Sequence, residues 1–510
     1  MKINKKVIST ILAATLVAGV LTGCGSDNKE NSATENTSKK ETLADTKAQL
    51  SSPKYDFEKE YAFGDFNRHS NADMDRQNGV DTFEDKEIVF KDISYDQLMN
   101  LMQQEGNFLI QLSGSWCHNS RAMGPSVNEF AKKNGIDTIY SYDFNVDNGE
   151  DGSMFVRMTN GKDTVGAKYN YMYGEMVSRF LTNLDDWIEY PSDSDTAISY
   201  TNSAGKEVTV GRLQQPIMFL YNKDNTKDNS GKGVARGKFP VVYAFEQMVE
   251  RDEKGLYVKE TDAEGNDVLD KEGKPVRKYV TEEYRKNLMK IFDYIKNNKI
   301  ELAHYDKEKY MKDAFNSYGK EIFKANEKVN IYPITYRQLE WLTDQDGNSL
   351  VMIGGPGSEK TRSIISTVNQ YAVKNNVRVY MYDPQIDGAY TTDKWGYKQT
   401  TNILEENSPI VHMYKNLIDR HLTNLEGTRT MEDGTTIIDA PYFFEFNKDA
   451  KDEDGFIAPI ASFVEMPYTS NPEARYSIGK EKNLNACKES ILTVMQKYGE
   501  LTGVKIQDLK

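Results

Sequence analysis

The sequence of 510 residues contains few cysteines and histidines and has no surplus of positive charge. Three cysteines are too few for a small scaffold held together by disulfides. The five histidines are scattered without the spacing of metal ligands, so we expect neither a metal site nor a cofactor. The 64 Lys and Arg are outnumbered by 78 Asp and Glu, which gives a formal net charge of −14. Such a surface repels phosphate backbones, and this argues against nucleic-acid binding.

Long apolar runs are absent except at the N-terminus. There, a lysine-rich start precedes an apolar run from Val7 to about Val20, which is too short for a comfortable membrane span. The run ends in Leu21-Thr22-Gly23-Cys24, which resembles the lipobox of bacterial lipoproteins. The resemblance implies that residues 1–23 are a signal peptide and that the sulfur of Cys24 is acylated, as with palmitate. The alternative is a cleaved signal followed by an incidental cysteine.

The segment after the lipobox predicts a flexible tether. Residues 25–52 contain almost no large apolar side chain and are rich in Ser, Asn, Lys, Glu and Thr. Such a segment cannot bury enough surface to fold, so we assign residues 24–80 to a lipidated cysteine and its tether. We therefore expect an extracytoplasmic protein that lipid anchors to the outer face of the bacterial cytoplasmic membrane.

An internal repeat organises the rest of the chain. Residues 93–135 and 334–376 share 16 identities at a fixed offset of 241, and the segment Leu181–Leu184 recurs at the same offset as Leu422–Leu425. The chain is therefore a tandem duplication, with one domain at residues 81–300, a joining segment at 301–330 that we expect to be helical, and a second domain at 331–510.

Each copy has the pattern of an α/β domain. In the first copy a helix is predicted from Tyr95 to about Gln103, followed by a strand at Phe108–Leu112, a helix and a second strand at Thr138–Phe144. This spacing indicates a parallel βαβ unit. The pattern further predicts a helix around Met176–Leu184, a hairpin with its turn at Ser203–Lys206, strands at 216–220 and 241–245, and a closing helix at Glu282–Ile295.

One sequence motif indicates a reactive site. The first strand runs into Trp116-Cys117-His118-Asn119-Ser120, and Pro125 follows eight residues after the cysteine. This resembles the active site of the thioredoxin superfamily, Trp-Cys-x-x-Cys with a proline in the following helix. The resemblance implies two tandem thioredoxin-like domains, each a central mixed sheet flanked by helices. It also implies that Pro216 occupies the place of the family's later proline, which faces the cysteine, with Pro441 in the second copy. Gln215, Pro216 and Trp116 would then shape the substrate groove.

The motif departs from the family at three positions. Ser120 replaces the second cysteine, so the site can form a mixed disulfide but cannot resolve it from within the motif. Gln111 stands where the family has a buried acid, and Asn119 replaces the usual proline. These departures argue against a standard disulfide reductase and favour an activity that uses one cysteine.

The residues themselves support a reactive Cys117. A cysteine at a helix N-terminus faces unpaired N–H groups and the positive end of the helix dipole, both of which favour the thiolate. His118 adds charge when protonated, and Ser120 is placed to donate a hydrogen bond to the sulfur. The expected function is thiol–disulfide exchange or mixed-disulfide capture, as in cell redox homeostasis. The expected partners are protein thiols or disulfides or a small thiol. The alternative is a non-catalytic binding or accessory lipoprotein, such as an envelope adaptor or a secretion or transport accessory.

The remaining motifs are weaker. The second copy has Ser358 in place of Cys117, within a segment at 354–361 that imitates a phosphate-binding loop but has Glu359 where that loop needs glycine. Cys487 lies on the apolar face of the last helix and is interpreted as a core thiol. The runs rich in Lys, Asp and Gly at 222–238, 252–276 and 447–455 are interpreted as solvated loops, with weak calcium binding as the alternative. The sequence leaves the oligomeric state open.

Overall fold

A computed structural model of the chain describes residues 61–62, 87–115, 117–143, 170–188, 197–201, 207–211, 216–246, 258–271, 273–278, 280–319, 321–384, 417–426, 428–430, 436–438, 441–464 and 481–509. All of these belong to one compact unit, Thr42–Lys510. The signal peptide, the lipidation site Cys24 and most of the tether lie outside the described residues and stay predictions. Among the described helices, none is both long enough and apolar enough to cross a membrane.

The first domain alternates strands and helices as the repeat pattern predicts. Its elements are β1 (Phe90–Asp92), α1 (Tyr95–Leu101), β2 (Phe108–Ser113), α2 (His118–Lys133), β3 (Ile139–Asp143), α3 (Asn170–Arg179), a 3₁₀ turn (Leu184–Asp186), β4 (Ala197–Thr201), β5 (Glu207–Gly211), β6 (Ile217–Tyr221), β7 (Val241–Glu246) and α4 (Glu282–Asn297). In the joining segment the described helix is α5 (Lys307–Asn316).

The second domain repeats this order. Its elements are β8 (Ile331–Ile334), α6 (Tyr336–Asp344), β9 (Ser349–Ile353), α7 (Glu359–Lys374), β10 (Val379–Tyr382), β11 (Thr428–Thr430), β12 (Thr436–Ile438), β13 (Tyr442–Phe446), β14 (Ile460–Val464) and α8 (Glu481–Thr502).

The two central sheets have the same topology. The first has the order β1-β3-β2-β6-β7 and the second β8-β10-β9-β13-β14. In each sheet the first three strands are parallel, and the last two run antiparallel to them. The two mixed-sheet α/β domains fit a tandem thioredoxin-like architecture, as the active-site resemblance implies.

The residues shared by the two copies include asparagines that fasten the sheet edges. The Asn183 side chain donates to Val241 O and accepts from Val241 N, both at 2.9 Å, and Asn424 does the same for Ile460 at 2.8 and 3.0 Å. This pairing explains why α3 ends at Arg179 rather than near Leu184, because Asn183 leaves the helix to hold the start of β7. The repeated Leu-Thr-Asn-Leu segment therefore has one structural role in both domains.

The first helix of each domain begins at an equivalent cap. The Ser94 hydroxyl accepts from Gln97 N, and the Gln97 side chain accepts from Ser94 N, which forms a capping box. Thr335 and Gln338 form the same box at the start of α6. Such reciprocal bonds satisfy two of the donors that a helix N-terminus leaves free. Sequence therefore fixes where both helices begin, and with them the packing faces that follow.

The two domains share one hydrophobic core, and the first domain has a second core of its own. On one side of the first sheet, α2 and α4 cover a separate cluster around Leu109, Val127 and Phe292. The opposite side, with α1, is continuous with the joining segment and with the whole core of the second domain. Phe315 and Phe323 of the joining segment are fully buried in this continuous core. Burial of this size makes the joining segment part of both folds.

Candidate functional site

Cys117 lies where β2 leaves the sheet and α2 begins. The cysteine is the N-cap of α2, with extended backbone angles and no side-chain capping bond. Cys117 N donates to Gly114 O at 3.0 Å, and Cys117 O accepts the first helical bond from Arg121 N at 3.0 Å. The thiol therefore stands at the positive end of a 16-residue helix, as predicted, and is 8% exposed.

Helix α2 holds the loop before the cysteine by two further bonds. The Ser120 hydroxyl oxygen accepts from Gly114 N at 3.4 Å, and Arg121 Nη1 donates to Ser115 O. Ser120 is fully buried and Arg121 is 7% exposed. Among the described residues, no hydrogen bond joins the Ser120 hydroxyl to the Cys117 sulfur. Ser120 thus supports the loop backbone in this conformation.

A third contact on this loop comes from the other domain. Arg337 in α6 donates from Nη1 to Ser115 Oγ at 3.0 Å, and its Nη2 lies 3.6 Å from the Asp143 carboxylate. The Arg337 side chain is only 5% exposed. Asp143 ends β3 and pairs in register with Ser113 at the end of β2. This contact, which spans 222 residues of the chain, was not predicted, because no local pattern connects the two positions.

Behind the loop, polar residues replace the family's buried acid. Gln111 is fully buried and donates from Nε2 to Ser113 Oγ at 2.5 Å, and Ser113 Oγ lies 3.4 Å from Ser141 Oγ. An amide and two hydroxyls carry no charge at neutral pH. None of these three side chains takes up a proton as the family's buried carboxylate does.

The proline predicted to face the site is buried directly before β6. Leu112 pairs with Ile217 in the antiparallel β2–β6 register, so Pro216 comes beside Ser113 as the register continues. In the second copy, a Cβ placed on Gly354, the counterpart of Ser113, would lie 3.3 Å from Pro441 Cα. Both prolines therefore stand next to their loops. Trp116, Gln215 and the His118 side chain lie outside the described residues, and their roles stay predictions.

The equivalent loop of the second domain is built for capping rather than for thiol chemistry. The Ser358 hydroxyl accepts from Thr361 N at 3.2 Å and caps α7, whereas Cys117 makes no such bond. The Asp383 carboxylate lies so close to Gly355 that a Cβ there would be 2.0 Å from it. A carboxylate beside this backbone repels phosphate, which adds to the sequence argument against a nucleotide at 354–361.

The second described cysteine lies in the core. Cys487 in α8 is 6% exposed, and burial raises the pKa of its thiol. Neither Cys117 nor Cys487 is in a disulfide. The interpretation of Cys487 as a core thiol fits this burial.

The acidic loops bind their own backbone. Asp228 accepts from Ser230 N, Ser230 Oγ and Gly233 N, and the Ser230 hydroxyl bond lowers the pKa of Asp228. Asp262 accepts from Glu264 N and Asn266 N, and its pKa is lowered by the Asn266 bond. In the part of the chain that the structure describes, no group of three or more acidic, histidine or cysteine side chains is arranged to hold a metal.

The second domain buries a histidine where the first has a phenylalanine. His421 is the repeat counterpart of Phe180, and its side chain is 4% exposed with Nδ1 3.6 Å from the Asp344 carboxylate. Burial lowers the pKa of His421, and the charge of Arg420 lowers it further, although Asp344 and Glu340 act in the opposite direction. The net effect is that the folded protein prefers the neutral imidazole.

This burial predicts acid sensitivity. Because the unfolded chain takes up a proton at His421 near the free pKa of about 6.5 and the folded chain resists it, stability falls as pH drops below that value. We expect His421→Phe, which copies the first domain, to flatten the decrease in melting temperature between about pH 7 and pH 5.5. The control is His304→Gln, since the His304 side chain is 70% exposed. Equal slopes in wild type and His421→Phe would contradict the prediction.

Comparison with known proteins gives two partial similarities. No protein-family model matches the chain. A stretch of 72 residues is 42% identical to KS71A fimbrillin of Escherichia coli and covers 12% of this chain and 38% of that protein. The solved structure "Crystal structure of ERdj5 form I" is 8% identical, with a TM-score of 0.17 and coverage of 81% of this chain and 31% of the other. The chain therefore spans about a third of the length of each of these two proteins.

Proposed function

We propose that this protein is a membrane-anchored, extracytoplasmic thioredoxin-like lipoprotein that exchanges or captures thiols through Cys117. The observation that carries the proposal is the position of Cys117. It is the N-cap of a 16-residue helix that follows β2, a strand inside a sheet whose strand order is thioredoxin-like. A thiol at this position faces the positive end of the helix dipole, and the thiolate is the reacting form of a thiol. Two arginines, Arg121 and Arg337, bond to Ser115 and hold the loop that ends at the cysteine.

The proposed reaction needs one cysteine and a partner. The Cys117 thiolate attacks one sulfur of a partner disulfide, the Cys117–partner bond forms, and the other sulfur leaves as a thiolate that takes a proton from water. A second thiol, from the partner or from a small molecule, then attacks the mixed disulfide and frees Cys117. No net oxidation occurs, so the cycle isomerises or exchanges disulfides. Ser120 cannot act as the second thiol.

The alternative is a binding lipoprotein that keeps the fold as a scaffold. It is favoured by the small exposed fraction of Cys117, 8%, because a disulfide substrate must reach the sulfur. The loop of the second domain, which has no cysteine and is held by its own cap, also suits a binding role.

The two functions are separated by the rate at which the native full-length chain reacts with iodoacetamide across pH. Mass spectrometry of peptides reads Cys117 and Cys487 separately. We expect Cys117 to react at pH 7 roughly a hundredfold faster than Cys487, because one thiol faces a helix N-terminus and the other is buried among apolar side chains. If Cys117 reacts as slowly as Cys487, thiol exchange is excluded and the scaffold function stands.

A further inference from the structure

Arg337 of the second domain contacts the loop at 114–117, which we call the cysteine loop and which holds the proposed reactive thiol of the first domain. Ser115 stands two residues before Cys117, and its hydroxyl accepts from a guanidinium that belongs to the second domain. Both side chains are nearly buried, at 5% exposure. A buried arginine requires partners, and this one has Ser115 and the Asp143 carboxylate in the first domain.

Hydrogen bonds from α2, from the loop itself and from the second domain hold this loop in place. Ser120 and Arg121 hold Gly114 and Ser115 from α2, and Cys117 N closes back onto Gly114 O. Those bonds fix the backbone, whereas Arg337 fixes the Ser115 side chain from outside the domain. Loss of Arg337 therefore leaves the buried Ser115 hydroxyl without this donor. Among the bonds named here, it is the one that joins the two domains.

Arg337 also offsets a negative charge. Asp143 ends β3 beside Ser113, four residues before the cysteine, and its side chain is 15% exposed. The guanidinium at 3.6 Å gives this largely buried carboxylate a partner of opposite charge. By strand register, Asp383 takes the place of Asp143 in the second domain, because it comes beside Gly354 as Asp143 comes beside Ser113, and no cysteine stands in that loop.

We propose that the second domain completes the cysteine site of the first, with Arg337 as the positioning residue that holds the Ser115 loop and offsets Asp143. This inference rests on the proposed function for its chemical consequence. Arg337 acts through Ser115 and Asp143 and does not itself react. The second copy has lost its own cysteine, and this contact gives it a role in the chemistry of the first.

The test compares the pH dependence of Cys117 alkylation by iodoacetamide in full-length variants. We expect Arg337→Gln to slow the reaction about tenfold across the pH range, since the charge-assisted bond that holds the Ser115 loop is lost and the Asp143 carboxylate loses its charged partner. Arg337→Lys keeps the charge and should recover part of the rate. The double variant Arg337→Gln with Asp143→Asn should recover part of it too, because the carboxylate left without its charged partner is gone.

The control is Arg362→Gln. Arg362 is the repeat counterpart of Arg121 and packs over the Tyr318 ring at 4.0 Å, so its loss perturbs the second domain away from the cysteine. We expect its alkylation profile to match wild type. A folded Arg337→Gln protein with the wild-type profile overturns the proposal. If Arg337→Gln does not fold, Ser115→Ala removes the same hydrogen bond, and a wild-type profile in both Ser115→Ala and Arg337→Lys overturns it equally.

A second measurement separates this inference from the proposed function. Amide hydrogen exchange over residues 113–121 reports the loop whether or not the thiol reacts. We expect Arg337→Gln to speed exchange there at least about tenfold, with no change in Arg362→Gln. Fast exchange in the variant with an unreactive wild-type Cys117 would leave the positioning role standing and exclude thiol exchange. Unchanged hydrogen exchange in Arg337→Gln, together with a reactive wild-type Cys117, would exclude the positioning role and leave the proposed thiol chemistry standing.

Discussion

Replacing Phe315 by alanine is expected to destabilise both domains at once, by about 3–5 kcal/mol. Phe315 is fully buried in α5, with its ring 5.7 Å from that of Phe323 in an edge-to-face arrangement. The core around it is continuous from α1 of the first domain to the sheet of the second. A cavity at this place therefore removes contacts from both folds. Urea denaturation followed by far-ultraviolet circular dichroism measures the loss.

The control is Phe456→Ala, which removes the same ring from a position that is 70% exposed and should leave stability within about 0.5 kcal/mol of wild type. We expect one cooperative transition in Phe315→Ala as in wild type, because a shared core couples the domains. Two separate transitions, with the first domain at its original midpoint, would show that the joining segment is only a linker.

Replacing Cys117 by serine is expected to abolish mixed-disulfide formation. Incubation of the native chain with glutathione disulfide should give one glutathione adduct at Cys117, whereas Cys117→Ser should give none at that position and no compensating adduct at Cys487. The physical reason is that burial raises the pKa of the Cys487 thiol and lowers its thiolate fraction. Peptide mass spectrometry measures the adducts.

The matched control is Cys487→Ser, which removes the other described thiol and should leave the adduct at Cys117 unchanged. Adduct formation at Cys487 in the Cys117→Ser protein would show that the core thiol is reachable and would weaken the assignment of chemistry to Cys117. A wild-type protein that forms no adduct under conditions where free glutathione exchanges would support the scaffold alternative instead.

Local patterns were sufficient to predict most of the fold. The repeat and the apolar runs located β2, β6 and the closing helix of the first domain to within a few residues. The short edge strands β1 and β8 were not predicted, since three or four residues give little periodicity and Pro333 inside β8 argues against a strand. An edge strand tolerates this proline, and here Pro333 O accepts from Gln97 of the first domain at 3.3 Å.

The site was predictable only where it is local. The position of Cys117 at a helix N-terminus follows from the motif, because strand, glycine and helix come consecutively in sequence. The contact with Arg337 does not, because it joins positions 222 residues apart and neither residue type is unusual. The burial of His421 was not predicted either. The sequence shows only that the histidines lack the spacing of metal ligands, whereas the burial depends on packing near Glu340 and Asp344 of α6 that no local pattern encodes.

The repeat counterpart of Arg337 is Asp96, so the two copies have opposite charges at this position. Burial raises the pKa of the Tyr318 hydroxyl, and the charges of Asp383 and Asp96 raise it further, whereas Arg362, which lies over the ring, lowers it. Two identical subunits in a symmetric dimer must present the same side chain to each other's loops. A fused pair is free of that constraint, so one position became an arginine and its counterpart an aspartate. Covalent linkage thus allows one loop to be tuned without altering the other.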